Sequence, residues 1–148
     1  MEQDNSGTLK AFRETTMELD NLYYIFAKSC GLSESEYWSL LLIHEGVVTQ
    51  SEISEQLFLS RQTLNSSFKQ LVKKGLIVLE TNEKNQRTKR AVLTEKGRDV
   101  VEKQVVNMHR TEELAWEKLT EDEQSALVRL TRKFTDAVSE TLTDHRTI

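Results

Sequence analysis

Apolar residues recur at steps of three and four along most of this 148-residue chain. This spacing is typical of helices that bury one face. Glycines or capping-type serines and threonines mark the ends of these stretches. The pattern predicts helices at about 8–29, 33–46, 49–58, 60–75, 94–116 and 120–142. The fold class is therefore mainly α, with long amphipathic helices at both ends of the chain.

The pattern changes within the segment 49–94. Two short helices are separated by a sharp turn, and Leu64, Phe68 and Leu71 form the inward side of the second one. The stretches 76–80 and 90–93 are rich in β-branched residues and predict two strands, with a polar, cationic loop between them. This order of elements indicates a winged helix-turn-helix. We expect the winged helix-turn-helix to form a lobe in 33–94 that is inserted in a helical frame. The frame would consist of an N-terminal helix in 1–32 and of C-terminal helices in 95–148.

The outward side of the fourth helix has the side chains that read DNA in the major groove. Gln62 and Asn65 can pair bidentately with adenine and Arg61 with guanine, because the two partners offer matching donors and acceptors. Lys69, Lys73 and Lys74 lie further along and are expected to contact phosphates. In the loop, Arg87 is the candidate for minor-groove insertion. The predicted DNA-binding residues are Ser60, Arg61, Gln62, Thr63, Asn65, Ser66, Lys69, Lys84, Arg87 and Lys89.

The charge distribution supports this prediction. The segment 60–90 has eight basic and two acidic residues, a net charge of +6, which leaves −10 for the remainder of a chain whose total is −4. A phosphate backbone responds to the local field rather than to the total charge. A winged helix that binds proteins instead of DNA is the alternative, but such surfaces are usually neutral or apolar.

Composition excludes several classes of protein. No apolar run approaches the roughly 20 residues that span a bilayer, and the N-terminus lacks the pattern of a signal peptide. Cys30 is the single cysteine, so an intrachain disulfide is impossible. We expect a cytoplasmic protein with no cofactor. The motifs of nucleophilic, phosphate-binding and zinc-dependent enzymes are absent, so we do not expect an enzyme.

The stretch TQSEISEQLFLSRQTLNSSFKQLVKKGLI, followed by an arginine-bearing loop and AVLTEKG, resembles the MarR family of bacterial transcriptional regulators. The resemblance extends over nearly the whole chain. It implies a homodimer, paired through the first helix and the last two, that binds a near-palindromic operator. It also implies control by a small ligand, by oxidation or by metal, and we expect a repressor released by a small ligand.

The family's recognition motif falls on Ser60, Arg61, Gln62, Thr63, Asn65 and Lys69, and its wing arginine on Arg87. The usual wing motif is Asp-x-Arg, whereas this chain has Asn85-Gln86-Arg87. A neutral amide therefore replaces the aspartate that supports the arginine.

Three kinds of sensory site remain open. An apolar ligand crevice would be lined by Tyr24, Phe26, Tyr37, Trp38 and Leu41. A redox sensor would use Cys30, which requires an accessible thiol with a depressed pKa. A regulatory metal would draw on Cys30, His44, Glu45, His109, Glu112 and Glu113, which are side-chain types that bind zinc. Zinc-responsive members of the family have a pair of histidines on the fifth helix, and this chain has His109 and Glu113 at those positions. We favour the interpretation that Cys30 is a semi-buried structural residue, and that the histidines are ordinary solvated or core residues, over a redox sensor or a metal sensor.

Overall fold

The computed structural model describes residues 7–82 and 85–146, and the side chains of residues 82–88 and 146 lie outside this description. Within these residues the chain is mainly α with a two-stranded antiparallel hairpin, as the sequence predicts. The elements are α1 (Leu9–Ser29), α2 (Glu34–His44), α3 (Gln50–Leu57), α4 (Arg61–Lys73), β1 (Ile77–Asn82), β2 (Asn85–Leu93), α5 (Glu95–Val100), a π-helical turn (Val101–Val105), α6 (Val106–Trp116) and α7 (Glu121–Arg146).

The chain divides into two compact units, Met1–Val106 and Asn107–Ile148. The first unit contains α1 to α5, the hairpin and the π-helical turn, and the second contains nearly all of α6 and all of α7. The three-part division at 1–32, 33–94 and 95–148 stays a prediction.

The core of the first unit collects apolar side chains from α1 through the π-helical turn. The inward stripe of α4 is its centre, with Leu64, Phe68 and Leu71 no more than 1% exposed. The other buried apolar residues are Ala27, Leu32, Tyr37, Leu40, Ile43, Ile53, Leu76, Ile77, Ala91, Val101 and Val105. Because one face of α4 is held in this core, the opposite face is turned to solvent.

Side-chain caps fix where the lobe helices begin. The Ser60 hydroxyl accepts a hydrogen bond from the Thr63 N–H at 3.1 Å, so α4 starts at Arg61 as expected. The Thr49 hydroxyl accepts from the Glu52 N–H at 3.3 Å and donates to the Glu52 carboxylate at 2.8 Å. Phe58 closes α3 in the left-handed conformation, with φ 53°. The sharp turn between α3 and α4 is therefore set by local sequence.

The strands of the wing are longer than the sequence predicts. The loop expected at 81–89 is partly strand, because β1 extends to Asn82 and β2 begins at Asn85. Antiparallel pairing is regular from Ile77 opposite Leu93 to Thr81 opposite Lys89. The prediction was wrong here because it relied on enrichment in β-branched residues, whereas ladder hydrogen bonds join backbone groups whatever the side chains are. An exposed polar ribbon can therefore remain paired.

The base of the wing is fastened to the start of α3. The Ala91 N–H of β2 donates to the Val48 carbonyl at 2.8 Å, and Thr49 forms a β-bridge with Arg90. The wing and the N-terminus of α3 are thus joined directly by backbone hydrogen bonds.

Candidate nucleic-acid interface

The solvent face of α4 presents the predicted reading side chains together. Arg61, Gln62 and Asn65 are exposed and follow one another along one side of the helix. Ser60, Thr63, Ser66 and Lys69 are also exposed. The N-terminal N–H groups of a helix lack intrahelical acceptors, so this end of α4 offers backbone donors as well as side chains.

A groove of about 700 Å³ lies beside this face of α4. It is lined by Arg61, Gln62 and Asn65 from α4 and by Lys89 from β2. The fold thus brings α4 and the wing to the same concave surface, although Lys89 lies more than 20 residues after Asn65 in sequence. A surface with amide and guanidinium donors and an exposed lysine suits a nucleic-acid partner.

Sequence reasoning missed three residues of this groove: Gln50, Ser51 and Leu79. Gln50 and Ser51 are the first two residues of α3, directly after its cap Thr49. The Thr49–Glu52 capping pattern could have indicated them, because it identifies a helix N-terminus. Leu79 had no such signal, since its exposure depends on which face of the hairpin packs on the core.

A second, smaller groove of about 430 Å³ lies along α4 and has hydroxyl and amide groups as its main polar lining. Gln62, Thr63, Ser66, Ser67 and Gln70 contribute from α4, and Ser33, Ser35 and Glu36 from the start of α2. The Ser35 and Ser67 hydroxyls are 2.5 Å apart, which joins the two helices. Gln62 lines both grooves.

Two of the predicted DNA contacts, Lys84 and Arg87, belong to the wing. Lys84 lies outside the described residues, and Arg87 belongs to β2 with its side chain outside the description. The same holds for the side chains of Asn85 and Gln86. Their roles stay predictions from the sequence.

Lys74 does not occupy the position expected of a phosphate contact. Its ammonium group is paired with the Glu36 carboxylate and also donates to the Gly31 carbonyl at 2.9 Å. Lys69 and Lys73, by contrast, are exposed. The basic side chains near the end of α4 therefore divide into two groups with different surroundings.

Comparison with known proteins agrees with this geometry. The MarR family model matches residues 31–88, which include α2, α3, α4 and β1. The structure of the transcriptional regulator SlyA is 27% identical, covers 90% of this chain and 94% of its own, and superposes with a TM-score of 0.70. Residues 31–88 of the chain are therefore assigned to the MarR family.

Two further structures are similar to this chain in fold. PcaV from Streptomyces coelicolor, solved with its natural ligand, is 21% identical, with coverage of 93% and 99% and a TM-score of 0.68. MOSR from M. tuberculosis, solved with DNA, is 20% identical, with coverage of 89% and 96% and a TM-score of 0.65. No curated protein matches the sequence. These similarities support a DNA-binding transcriptional regulator of the MarR type.

The aromatic residues predicted to line a ligand crevice divide between a cavity and the core. A cavity of about 520 Å³ is lined by Tyr24 and Trp38, together with Lys28, Ser33, Glu34, Ser35, Gln56, Leu57 and Leu59. Tyr37 and Leu41 do not line it, and Tyr37 is only 2% exposed. Tyr37 instead packs edge-on against Phe26, with ring centroids 5.7 Å apart. Both tyrosines were predicted to line the ligand crevice, so only tertiary packing separates them.

Cys30 caps the C-terminus of α1 and is half-buried. Burial raises the pKa of the Cys30 thiol, and the Ser29 hydroxyl, 4.0 Å from the sulfur, only partly offsets this. A raised pKa leaves less thiolate at neutral pH, whereas oxidation sensing requires more of it. The surroundings of Cys30 therefore favour an unreactive thiol.

The histidines proposed for metal sensing are not gathered into a metal site. Within residues 7–82 and 85–146, no three histidine, cysteine or acidic side chains are grouped closely enough to hold an ion. His44 ends α2, and His109 lies 3.6 Å from both the Glu112 and the Glu113 carboxylates. Contacts three and four residues away on the same helix are typical of exposed pairs.

Among the described residues, no helix has the length and apolar character needed to cross a membrane.

Proposed function

We propose that this MarR-family regulator acts as a homodimeric repressor that reads a near-palindromic operator and is released by a small ligand. The observation that carries the proposal is the groove shared by Arg61, Gln62 and Asn65 of α4 and Lys89 of β2. It combines base-reading side chains with a cationic flank on one concave surface. In protein–DNA interfaces, side chains that pair with base edges read the sequence, and neighbouring cations that bind phosphates fix the register.

Each part of the surface has a distinct role in this proposal. Arg61 pairs with guanine, and Gln62 and Asn65 pair with adenine. Ser60, Thr63 and Ser66 contact base edges or phosphates through their hydroxyls. Lys69, Lys84 and Lys89 bind the backbone, and Arg87 enters the minor groove beside the site.

Exposed apolar stripes support the homodimer. In the first unit, Leu9, Leu19 and Leu22 of α1 are each more than half exposed. In the second unit, Leu130 and Leu142 of α7 are also more than half exposed. A soluble chain rarely leaves such stripes in water. We infer that a second copy covers them, and that the two-fold symmetry of the pair sets two half-sites about 34–36 Å apart.

The cavity lined by Tyr24 and Trp38 supports control by a small ligand. Aromatic and aliphatic walls suit an apolar ring, and Lys28 on the same lining supplies a cation. Its ammonium group lies 5.7 Å from the centroid of the Tyr24 ring. We infer a small aromatic or apolar anion as the effector.

The proposal is tested by measuring DNA binding of the purified full-length protein. A palindromic duplex recovered by selection from a random pool should bind much more tightly than a scrambled duplex of equal length. The affinity should fall steeply with salt, because each neutralised phosphate releases counterions. The scrambled duplex is the control for non-specific binding. Equal affinity for both duplexes, or binding insensitive to salt, would contradict the proposal.

A further inference from the structure

Glu36 is a buried carboxylate at the start of α2, with its residue only 5% exposed. Its spacing from Ser33 predicts a capping box, and the Ser33 hydroxyl does accept the Glu36 N–H at 3.2 Å. The carboxylate itself, however, is paired with the ammonium group of Lys74. Burying a charge is costly unless it is paired and hydrogen-bonded. The pairing with Lys74 therefore offsets the cost of burying the Glu36 carboxylate.

Lys74 is the C-cap residue of α4, and its side chain fastens this end of the helix to the turn between α1 and α2. In addition to Glu36, the ammonium group donates to the Gly31 carbonyl at 2.9 Å. The two partners lie on either side of the turn, one just after α1 and the other in the first turn of α2. One side chain thereby links three helices.

The backbone at the same end of α4 is fastened on its other side. The Lys96 ammonium group donates to the Lys74 carbonyl at 2.9 Å, and the Thr94 hydroxyl donates to the Gly75 carbonyl at 2.6 Å. Cations near these carbonyls also complement the negative end of the helix dipole. The C-terminus of α4 is therefore fixed between the α1–α2 turn and the start of α5.

We propose that Lys74 is a positioning residue for DNA reading, acting through Glu36 and Gly31, and not a phosphate contact. This inference rests on the proposed function. The 13 residues of α4 form a rod about 20 Å long, with Arg61, Gln62 and Asn65 at one end and the Lys74 clamp at the other. Bidentate contacts need donor–acceptor distances of about 2.7–3.2 Å, so a small change in the tilt of the rod breaks them.

A positioning role and a phosphate-contact role for Lys74 predict different losses of DNA affinity when the side chain is removed. Removing a phosphate contact weakens binding to every duplex alike. It also lowers by about 1 the magnitude of the salt slope, which is the slope of the logarithm of the binding constant against the logarithm of the salt concentration. Removing a positioning residue leaves the salt slope unchanged and weakens binding mainly to the cognate duplex. The ratio of specific to non-specific affinity therefore separates the two roles.

The experiment compares Lys74→Met with Lys73→Met, its exposed neighbour, on cognate and scrambled duplexes over a salt series. For Lys74→Met we expect an unchanged salt slope and a specificity ratio reduced by about 10-fold, the discrimination of roughly one good bidentate contact. For Lys73→Met we expect a lower salt slope and an unchanged ratio. Thermal unfolding is measured for each protein, and binding is compared where each is fully folded.

Two further variants separate positioning from simple stability. The double variant Glu36→Met/Lys74→Met removes the unpaired buried charge, so it should regain stability relative to Lys74→Met while its specificity ratio stays low. Glu36→Gln keeps an acceptor for the ammonium group and should retain most of the specificity.

A Lys74→Met protein that keeps its specificity ratio, or that loses salt slope as Lys73→Met does, would overturn the inference. A double variant that regains specificity along with stability would also overturn it. Failure of the wild-type protein to prefer the cognate duplex would instead refute the proposed function, and this is measured before any variant.

Discussion

Lys73 and Lys74 are adjacent residues with the same side chain and different surroundings. Lys73 is exposed, whereas Lys74 is half-buried against Glu36 and Gly31. On a helix, neighbouring residues point about 100° apart. One residue can therefore face solvent while the next one contacts a buried partner. At the scale of single residues, the sequence identifies which side chains are charged but not which groups they pair with.

Gly97 is a residue whose lack of a side chain is required by packing. A Cβ at this position would lie 1.9 Å from the Leu76 carbonyl oxygen, which is backbone and cannot move aside. Gly97→Ala should therefore destabilise the first unit by about 1–3 kcal/mol, the usual cost of overpacking. Urea unfolding followed by circular dichroism measures the change.

Gly7→Ala is the matched control, because a Cβ at Gly7 meets nothing within 4 Å. It should leave the free energy of unfolding almost unchanged. Equal stability of the two variants would contradict the close approach of α5 to Leu76.

At the scale of elements, α4 and the wing differ in how far sequence determines them. The bounds of α4 follow from its apolar stripe, its cap Ser60 and Gly75 after its end, all of which act within a few residues. The strands of the wing extend past their β-branched residues, because pairing with a partner strand supplies what the local sequence lacks. Substitutions in the wing should therefore change DNA contacts more than they change the fold.

Arg87→Ala tests the wing as a DNA-reading element. Narrow minor grooves in A/T-rich DNA attract arginine, so the variant should lose more affinity for operators with A/T-rich flanks than for those with G/C-rich flanks. Fluorescence anisotropy with both duplexes measures the difference.

Lys89→Ala, on the same strand, is the control and should lose affinity alike with both flanks, as expected for a phosphate contact. A loss from Arg87→Ala that does not depend on the flanking sequence would assign Arg87 to the phosphates as well.

At the scale of the whole molecule, charge and apolar surface are unevenly distributed. The segment 60–90 has a net charge of +6 in a chain whose total is −4. It includes α4 and most of the hairpin, whereas α1 and α7 have exposed apolar stripes. This distribution suits a molecule that binds DNA with one part and a second copy of itself with others.

Leu130→Glu tests the homodimer. A charge placed in a buried apolar interface is strongly unfavourable, so the variant should become monomeric and lose its preference for a palindrome over a single half-site. Light scattering coupled to size-exclusion chromatography measures the mass. Arg132→Gln is the control, because it changes the net charge equally but lies on the opposite side of α7.

We expect the Arg132→Gln protein to remain a dimer. A wild-type protein that is monomeric at micromolar concentration, or a Leu130→Glu protein that remains dimeric, would refute the role of α7 in pairing.

The sequence by itself determined the helices, their caps and the outward face of α4. These features depend on residues within one or two turns of each other, such as Ser60 with Thr63 or Leu64 with Phe68 and Leu71. Composition also located the positive charge in the segment 60–90. For the same reason, the sequence alone predicts that α4 reads DNA, because its outward side chains and the local positive charge can be read without knowing what surrounds the helix.

Only the tertiary structure decided which side chains meet across the chain. Glu36 and Lys74 are 38 residues apart, and Tyr24 and Tyr37 differ only in what packs against them. Gln50, Ser51 and Leu79 joined the groove because the wing pairs with the start of α3. Such contacts depend on how helices and strands pack together, and packing is governed by shape and burial over long sequence separations rather than by any local pattern.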